Sequence, residues 1–270
     1  MLKMIASADD SEWIFRTSIQ LFKLGGAAFP IPGEFDHFKQ LQMRLVEVLR
    51  ECRDVQLELN LLVESHARDL ELGTGGVAVE SGHLRVLNDI EPRLNRLFKD
   101  FFIKSRTALY HLFGQKNKPE SVTKFLLGHN MSFVQVSDDS TFERYAATFL
   151  EAHQSQKAGA LIEMLRGDRA SWLRTLIGTR DRMIHDVDCP TLKMNYGVVN
   201  GKVVAGFPTV SRCELRSYLQ LFWENLYQAI EETIVLCLAI RMPENIVPMR
   251  IPIERVNPKL PIHWTFGLRS

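Results

Sequence analysis

Two short segments of this chain carry the residue types that metal-free phosphodiester chemistry needs. Each has an arginine to hold a phosphate and a histidine five positions later to move a proton. They are Arg106-Thr-Ala-Leu-Tyr-His111 and Arg180-Asp-Arg-Met-Ile-His185. With 21 Arg and 8 His in 270 residues, two such spacings are no more than chance supplies, so context must separate them. Laid on a helical wheel at about 100° per residue, Trp172, Leu173, Leu176, Ile177, Met183, Ile184 and Val187 form one apolar arc. Arg180 falls at its middle. A guanidinium centred on a core-facing stripe needs a partner or a pocket to offset its desolvation, so Arg180 is expected to be buried. Asp181 and His185 stand four apart on one flank, a spacing at which the carboxylate could orient the imidazole. Arg106, by contrast, sits at the edge of its helix's apolar arc, His111 faces away, and no acid follows the arginine.

From the wheel alone two readings stay open. Arg180 could make an interhelical salt bridge beside an ordinary helix-flank His185. Alternatively, a phosphate-binding arginine could stand beside an oriented acid/base histidine, which is the equipment for RNA cleavage without metal.

Arg180-Asp-Arg-Met-Ile-His185 resembles the R-x4–6-H signature of the HEPN superfamily, helical bundles of toxin–antitoxin, abortive-infection and CRISPR-associated proteins. The resemblance covers about residues 90–240 and departs at Asp181, where a small polar residue, often Asn, is usual. It implies a metal-independent endoribonuclease or toxin-like effector in microbial defence or stress response, acting as a homodimer in which Arg and His of two protomers meet. In that role Arg180 would stabilise phosphate charge, His185 would be general acid or base, and Asp181 would fix the geometry. RNA as substrate and an antitoxin or regulatory protein as partner follow from the same resemblance. The competing reading is a non-catalytic helical module for dimerisation or partner binding.

Other clusters point to less. His37, His66, His83, His129, His153 and His263 show no ligand spacing, so neither a metal nor a cofactor is expected. Gly73-Thr-Gly-Gly76 lacks the lysine and flanking strand of a phosphate loop. Trp13, Trp172, Trp223 and Trp264 read as core, and Glu231-Glu232 as a solvated helix face. Lys193 and Lys202 are too few to make the hairpin a nucleic-acid wing.

The elements that must position these residues follow from apolar periodicity. Steps of three and four from Phe35 to Leu62 predict a helix over about 35–70, roughly 50 Å long. Further helices are expected at 11–23, 92–113, near 120–127, and at 141–153, 156–166, 169–187 and 213–241. Val-rich runs flanking Asn200-Gly201 predict a hairpin with a type I′ turn. The sum is an all-α, up-and-down HEPN-like bundle with a β-hairpin insertion near 192–209. Its divisions would be an N-terminal helical extension packed on the bundle (1–90), the bundle (91–241) and an extended proline-rich tail (242–270).

The 33 basic residues nearly balance the 32 acidic ones, which argues against a broad positive field for coating nucleic acid. The longest apolar run, Ile234 to Ile240, falls far short of the roughly 20 residues a spanning helix needs. Cys52, Cys189, Cys213 and Cys237 stand singly, with no CxxC pair. No signal-peptide core follows Met1. A cytoplasmic protein with no membrane association and reduced thiols is expected.

Overall fold

Helices dominate the computed structural model, which describes residues 28–29, 31, 33–80, 83–87, 89–115, 120–129, 131–185, 191–256 and 264–269. The expected 11–23 helix, Val187 and Cys189 lie outside these residues. Helix α1 runs Glu34–Glu71 and α2 runs Glu91–Phe113. Then come α3 (Val122–Leu127), α4 (Phe133–Ser137), α5 (Asp139–Ala152) and α6 (Gln156–Asp168). A π-turn over Arg169–Leu173 leads into α7 (Arg174–His185), and α8 spans Leu215–Arg241. The short helices begin at side-chain caps: Ser121, Asp138 and Ser155 accept from the backbone N–H three residues on. No helix among the described residues is long and apolar enough to cross a membrane.

Among the described residues, four antiparallel hairpins accompany the helices. Strands β1 (Val77–Glu80) and β2 (His83–Val86) pair, as do β3 (Asn195–Val199) and β4 (Lys202–Gly206). Strands β5 (Thr209–Val210) and β6 (Cys213–Glu214) form a third pair, and β7 (Ile246–Arg250) with β8 (Trp264–Leu268) a fourth. The class is therefore mostly helical with small hairpins rather than all-α with one. The β3–β4 turn has positive φ at Asn200 (52°) and Gly201 (75°), the backbone a type I′ turn requires. The chain from residue 242 on, expected to be extended throughout, contains the β7–β8 ribbon.

The chain divides into two compact units, interleaved in sequence. The first comprises residues 1–50, 107–174 and 227–270. Its core holds Phe38, Leu45, Phe113, Phe133, Phe142 and Phe149 against Leu161, Ile162, Ile230 and Ile234, all essentially buried. Here Lys157 of α6 is buried, and its Nζ donates to the carbonyls of Ala239 (3.0 Å), Met242 (3.1 Å) and Pro243 (2.8 Å). It thereby adds a donor to carbonyls at and beyond the C-terminal end of α8, where Ala239 O and Pro243 O also accept from Met242 N and Ile246 N.

The second unit comprises residues 51–106 and 175–226. Leu59, Val63, Leu94, Phe98, Phe101, Phe102, Leu176, Leu219 and Phe222 are buried in it. Phe102 meets Phe98, Phe101 and Phe222 edge-on, with centroids 5.2–5.5 Å apart, the arrangement the ring quadrupoles favour. The segment leading into β3 is tied to α2: Asn95 bonds both backbone groups of Leu192, and Glu91 accepts from Met194 N. The hydroxyl of Tyr196 on β3 meets Nε2 of buried His66 on α1 at 3.0 Å.

Candidate functional site

Helix α7 does not present the wheel its sequence suggests. Its buried residues are Leu176, Thr179 and Met183, while Ile177, Ile184 and Arg180 are half-buried. On that stripe Arg180 lies roughly 65° from the centre, and His185 is nearly opposite it. The expectation of a core-centred, buried Arg180 is thus corrected, since 22% of its side chain is exposed. The stripe is shifted because Thr179 is buried while Ile177 and Ile184 are only half-buried. The Ser171 hydroxyl donates back to the carbonyls of Gly167 and Asp168, and Trp172 Nε1 donates to Asp168 Oδ1 at 2.9 Å. Arg169 pairs with Asp139 and stacks on Phe142, 4.1 Å from its centroid. These contacts brace Arg169–Leu173, which forms a π-turn. Buried Thr179, an unremarked polar residue in the sequence, hydrogen-bonds Tyr218 of α8, whose phenol burial pushes above its usual range.

Off the core, Arg180 finds a carboxylate. Its Nη1 donates to Asp181 Oδ1 at 2.7 Å, and Arg106 Nη1 on α2 donates to the same oxygen at 2.9 Å. All three belong to the second unit. Arg106 is 19% and Asp181 45% exposed at the side chain, so the cluster reaches solvent from a half-buried base. Arg180 Nε is buried and, among the described residues, has no hydrogen-bond partner.

The structure therefore joins the two R-x4-H segments, one on α2 and one on α7, through Asp181. In the sequence Arg106 stands at the edge of its apolar arc, with His111 facing away and no acid following it; the acid comes from another helix. The one available signal was the repeated spacing. His185 is exposed at the end of α7. Among the described residues, Asp181 bonds the arginines and not His185, so the expected carboxylate–imidazole hydrogen bond is not formed.

No three described His, Cys, Asp or Glu side chains gather as metal ligands. Cys52, Cys213 and Cys237 are free thiols. Burial pushes the Cys52 thiol up to about 12, despite its contact with Ser105, which leaves it unreactive at neutral pH. Compared with family models, curated proteins and solved structures, the chain finds no match.

Proposed function

We propose that the chain is a HEPN-like helical bundle that acts on RNA as a metal-independent endoribonuclease or toxin-like effector in defence or stress response. The observation that carries this reading is the convergence of Arg106 and Arg180 on one half-exposed oxygen of Asp181. That oxygen stands where a phosphate oxygen would be held. Two arginines supply the charge-assisted, directional donors that a phosphodiester demands, and Arg180 Nε adds a further N–H without a partner among the described residues.

In this mechanism a substrate phosphate takes the place of Asp181 between the guanidinium groups, which then stabilise charge accumulating on its non-bridging oxygens. His185 accepts the proton of the 2′-hydroxyl as that oxygen attacks phosphorus. The bond to the 5′-oxygen breaks, and the leaving oxygen takes a proton from the His185 of a second protomer. The products are a 2′,3′-cyclic phosphate and a 5′-hydroxyl end. No metal enters any step.

A second reading has its own support. Asp181 already pairs with both arginines and makes no bond to His185, which suits an interhelical ion pair in a non-catalytic dimerisation or partner-binding module. Single-stranded RNA incubated with the protein in EDTA distinguishes the two. Cleavage that is lost in both Arg180→Ala and His185→Ala supports the enzyme. RNA that stays intact with the wild-type protein across varied sequences rejects it in favour of the binding module.

A further inference from the structure

Histidines that share no spacing in sequence are brought together in the first unit. His129 follows the left-handed C-cap Gly128 of α3 (φ 67°), and His153 is the C-cap of α5. His153 Nε2 lies 3.3 Å from His129 Nδ1, and the same Nδ1 lies 3.3 Å from the carbonyl oxygen of Leu127.

These separations are long for hydrogen bonds, which centre near 2.9–3.0 Å for N–H donors. One proton on His129 Nδ1 would also have to serve two acceptors. They match the edge of a tetrahedron around a zinc ion: arms of about 2.0–2.1 Å put neighbouring ligand atoms about 3.3–3.4 Å apart. The donor set suits a divalent ion in kind as well. Leu127 is the last residue of α3, so its carbonyl has no intrahelical N–H to accept from. His153 terminates a 14-residue helix, the end at which the helix dipole favours positive charge. The Phe149 ring, 4.6 Å from that of His153, limits how the imidazole can turn.

We infer that Leu127 O, His129 Nδ1 and His153 Nε2 form a binding site for a zinc-class divalent ion, with water completing the tetrahedron and the ion linking the ends of α3 and α5. The third protein donor is a main-chain oxygen, which is why no trio of ligating side chains marks the place. The inference is independent of the Arg180 reading, and RNA cleavage in EDTA leaves it untouched.

The test is calorimetric titration of tag-free, chelator-treated protein with zinc chloride at pH 7.5, repeated on His129→Ala, His153→Ala and, as a control, His37→Ala. His37 is another histidine of the first unit, bonded instead to Glu120 at 2.6 Å. The expected result is one equivalent bound by the wild type and by His37→Ala, with affinity weakened about tenfold or more in each of the other variants. Far-UV circular dichroism confirms that the variants are folded. Affinity should also fall below pH 6, as protons compete for the imidazoles. Absence of zinc binding to the wild type, or binding unchanged in both His129→Ala and His153→Ala, overturns the site.

Discussion

Arg106 and Arg180, 74 positions apart on α2 and α7, donate to the same oxygen of Asp181. A carboxylate shared in this way screens two like charges, so its removal has a consequence that ordinary surface pairs lack. In Asp181→Asn the guanidinium groups face each other with only a neutral acceptor between them. Stability at low salt should fall by about 1 kcal/mol, a modest figure because the carboxylate is nearly half exposed. Millimolar sulfate or phosphate should restore it by binding between the arginines, while chloride at equal ionic strength should not. Thermal melts in the three salts read this directly. Equal recovery in chloride would mean the arginines do not form an anion seat.

Asp168 provides a pH-dependent counterpart in the first unit. Burial raises its carboxyl to about 6, Trp172 Nε1 opposes that shift, and Glu232 adds to it. An acid that holds its proton more tightly when folded than when unfolded favours the fold most below pH 4. That advantage is lost as pH rises from about 4 through 6. Asp168→Asn keeps an oxygen for the indole N–H and removes the charge. It should raise stability by about 2 kcal/mol at pH 7.5, with the partial exposure of the group already discounted, and by little at pH 4. Urea midpoints at the two pH values check it; an equal change at both would show that the charge is not the cause.

His66 works in the opposite sense. Burial holds its imidazole below the ordinary histidine range, and Tyr196 of β3 meets its Nε2. A histidine that resists protonation in the fold contributes stability above its unfolded value of about 6.5, and loses it as pH falls. Amide exchange in β3 and β4 should therefore quicken between pH 7 and 5.5, beyond the intrinsic pH dependence, while β7 and β8 show no such change. In His66→Gln the two ribbons should respond alike. If β3–β4 keeps its pH sensitivity in that variant, the histidine is not its source.

What the sequence made legible follows its local periods. The stripe from Phe35 onward placed α1 within a residue of Glu34–Glu71, and Asn200-Gly201 located the β3–β4 turn. Both signals are carried by residues within one turn or one strand pair of each other. The β1–β2 hairpin was missed because Gly73-Thr-Gly-Gly76 read only as a break between helices. The five-residue α4 is too short to show a period, and β7–β8 pairs across sequence in a stretch whose prolines suggested no partner. The candidate site was half legible. Arg180, Asp181 and His185 were named, but burial of the polar Thr179 in place of Ile177 and Ile184 sets Arg180 off the core, and only a tertiary contact could supply Arg106 to Asp181. His129 and His153 were set aside for the same reason, since 24 residues separate them in the chain and 3.3 Å in space.

Lys157 is the residue whose loss should most clearly separate a structural role from a surface one. Its ammonium is buried, yet it faces three carbonyls and no described carboxylate lies within ion-pairing distance. Three divergent donors on one nitrogen suit carbonyls that converge from Ala239, Met242 and Pro243. Methionine fills similar volume but leaves Met242 O without its donor, and leaves Ala239 O and Pro243 O with only the backbone N–H groups of Met242 and Ile246. Lys157→Met should cost about 3 kcal/mol, within the range for losing charge-assisted bonds at a buried site. Arginine should not rescue it, because a planar fork cannot reach three oxygens arranged about a point. The effect should concentrate where the carbonyls lie. Amide exchange should accelerate at the end of α8 and through Ile246–Arg250, which begins three residues after Pro243, before it does in α5. Uniform acceleration across the first unit would instead mark Lys157 as one packing residue among many, with no particular hold on the end of α8.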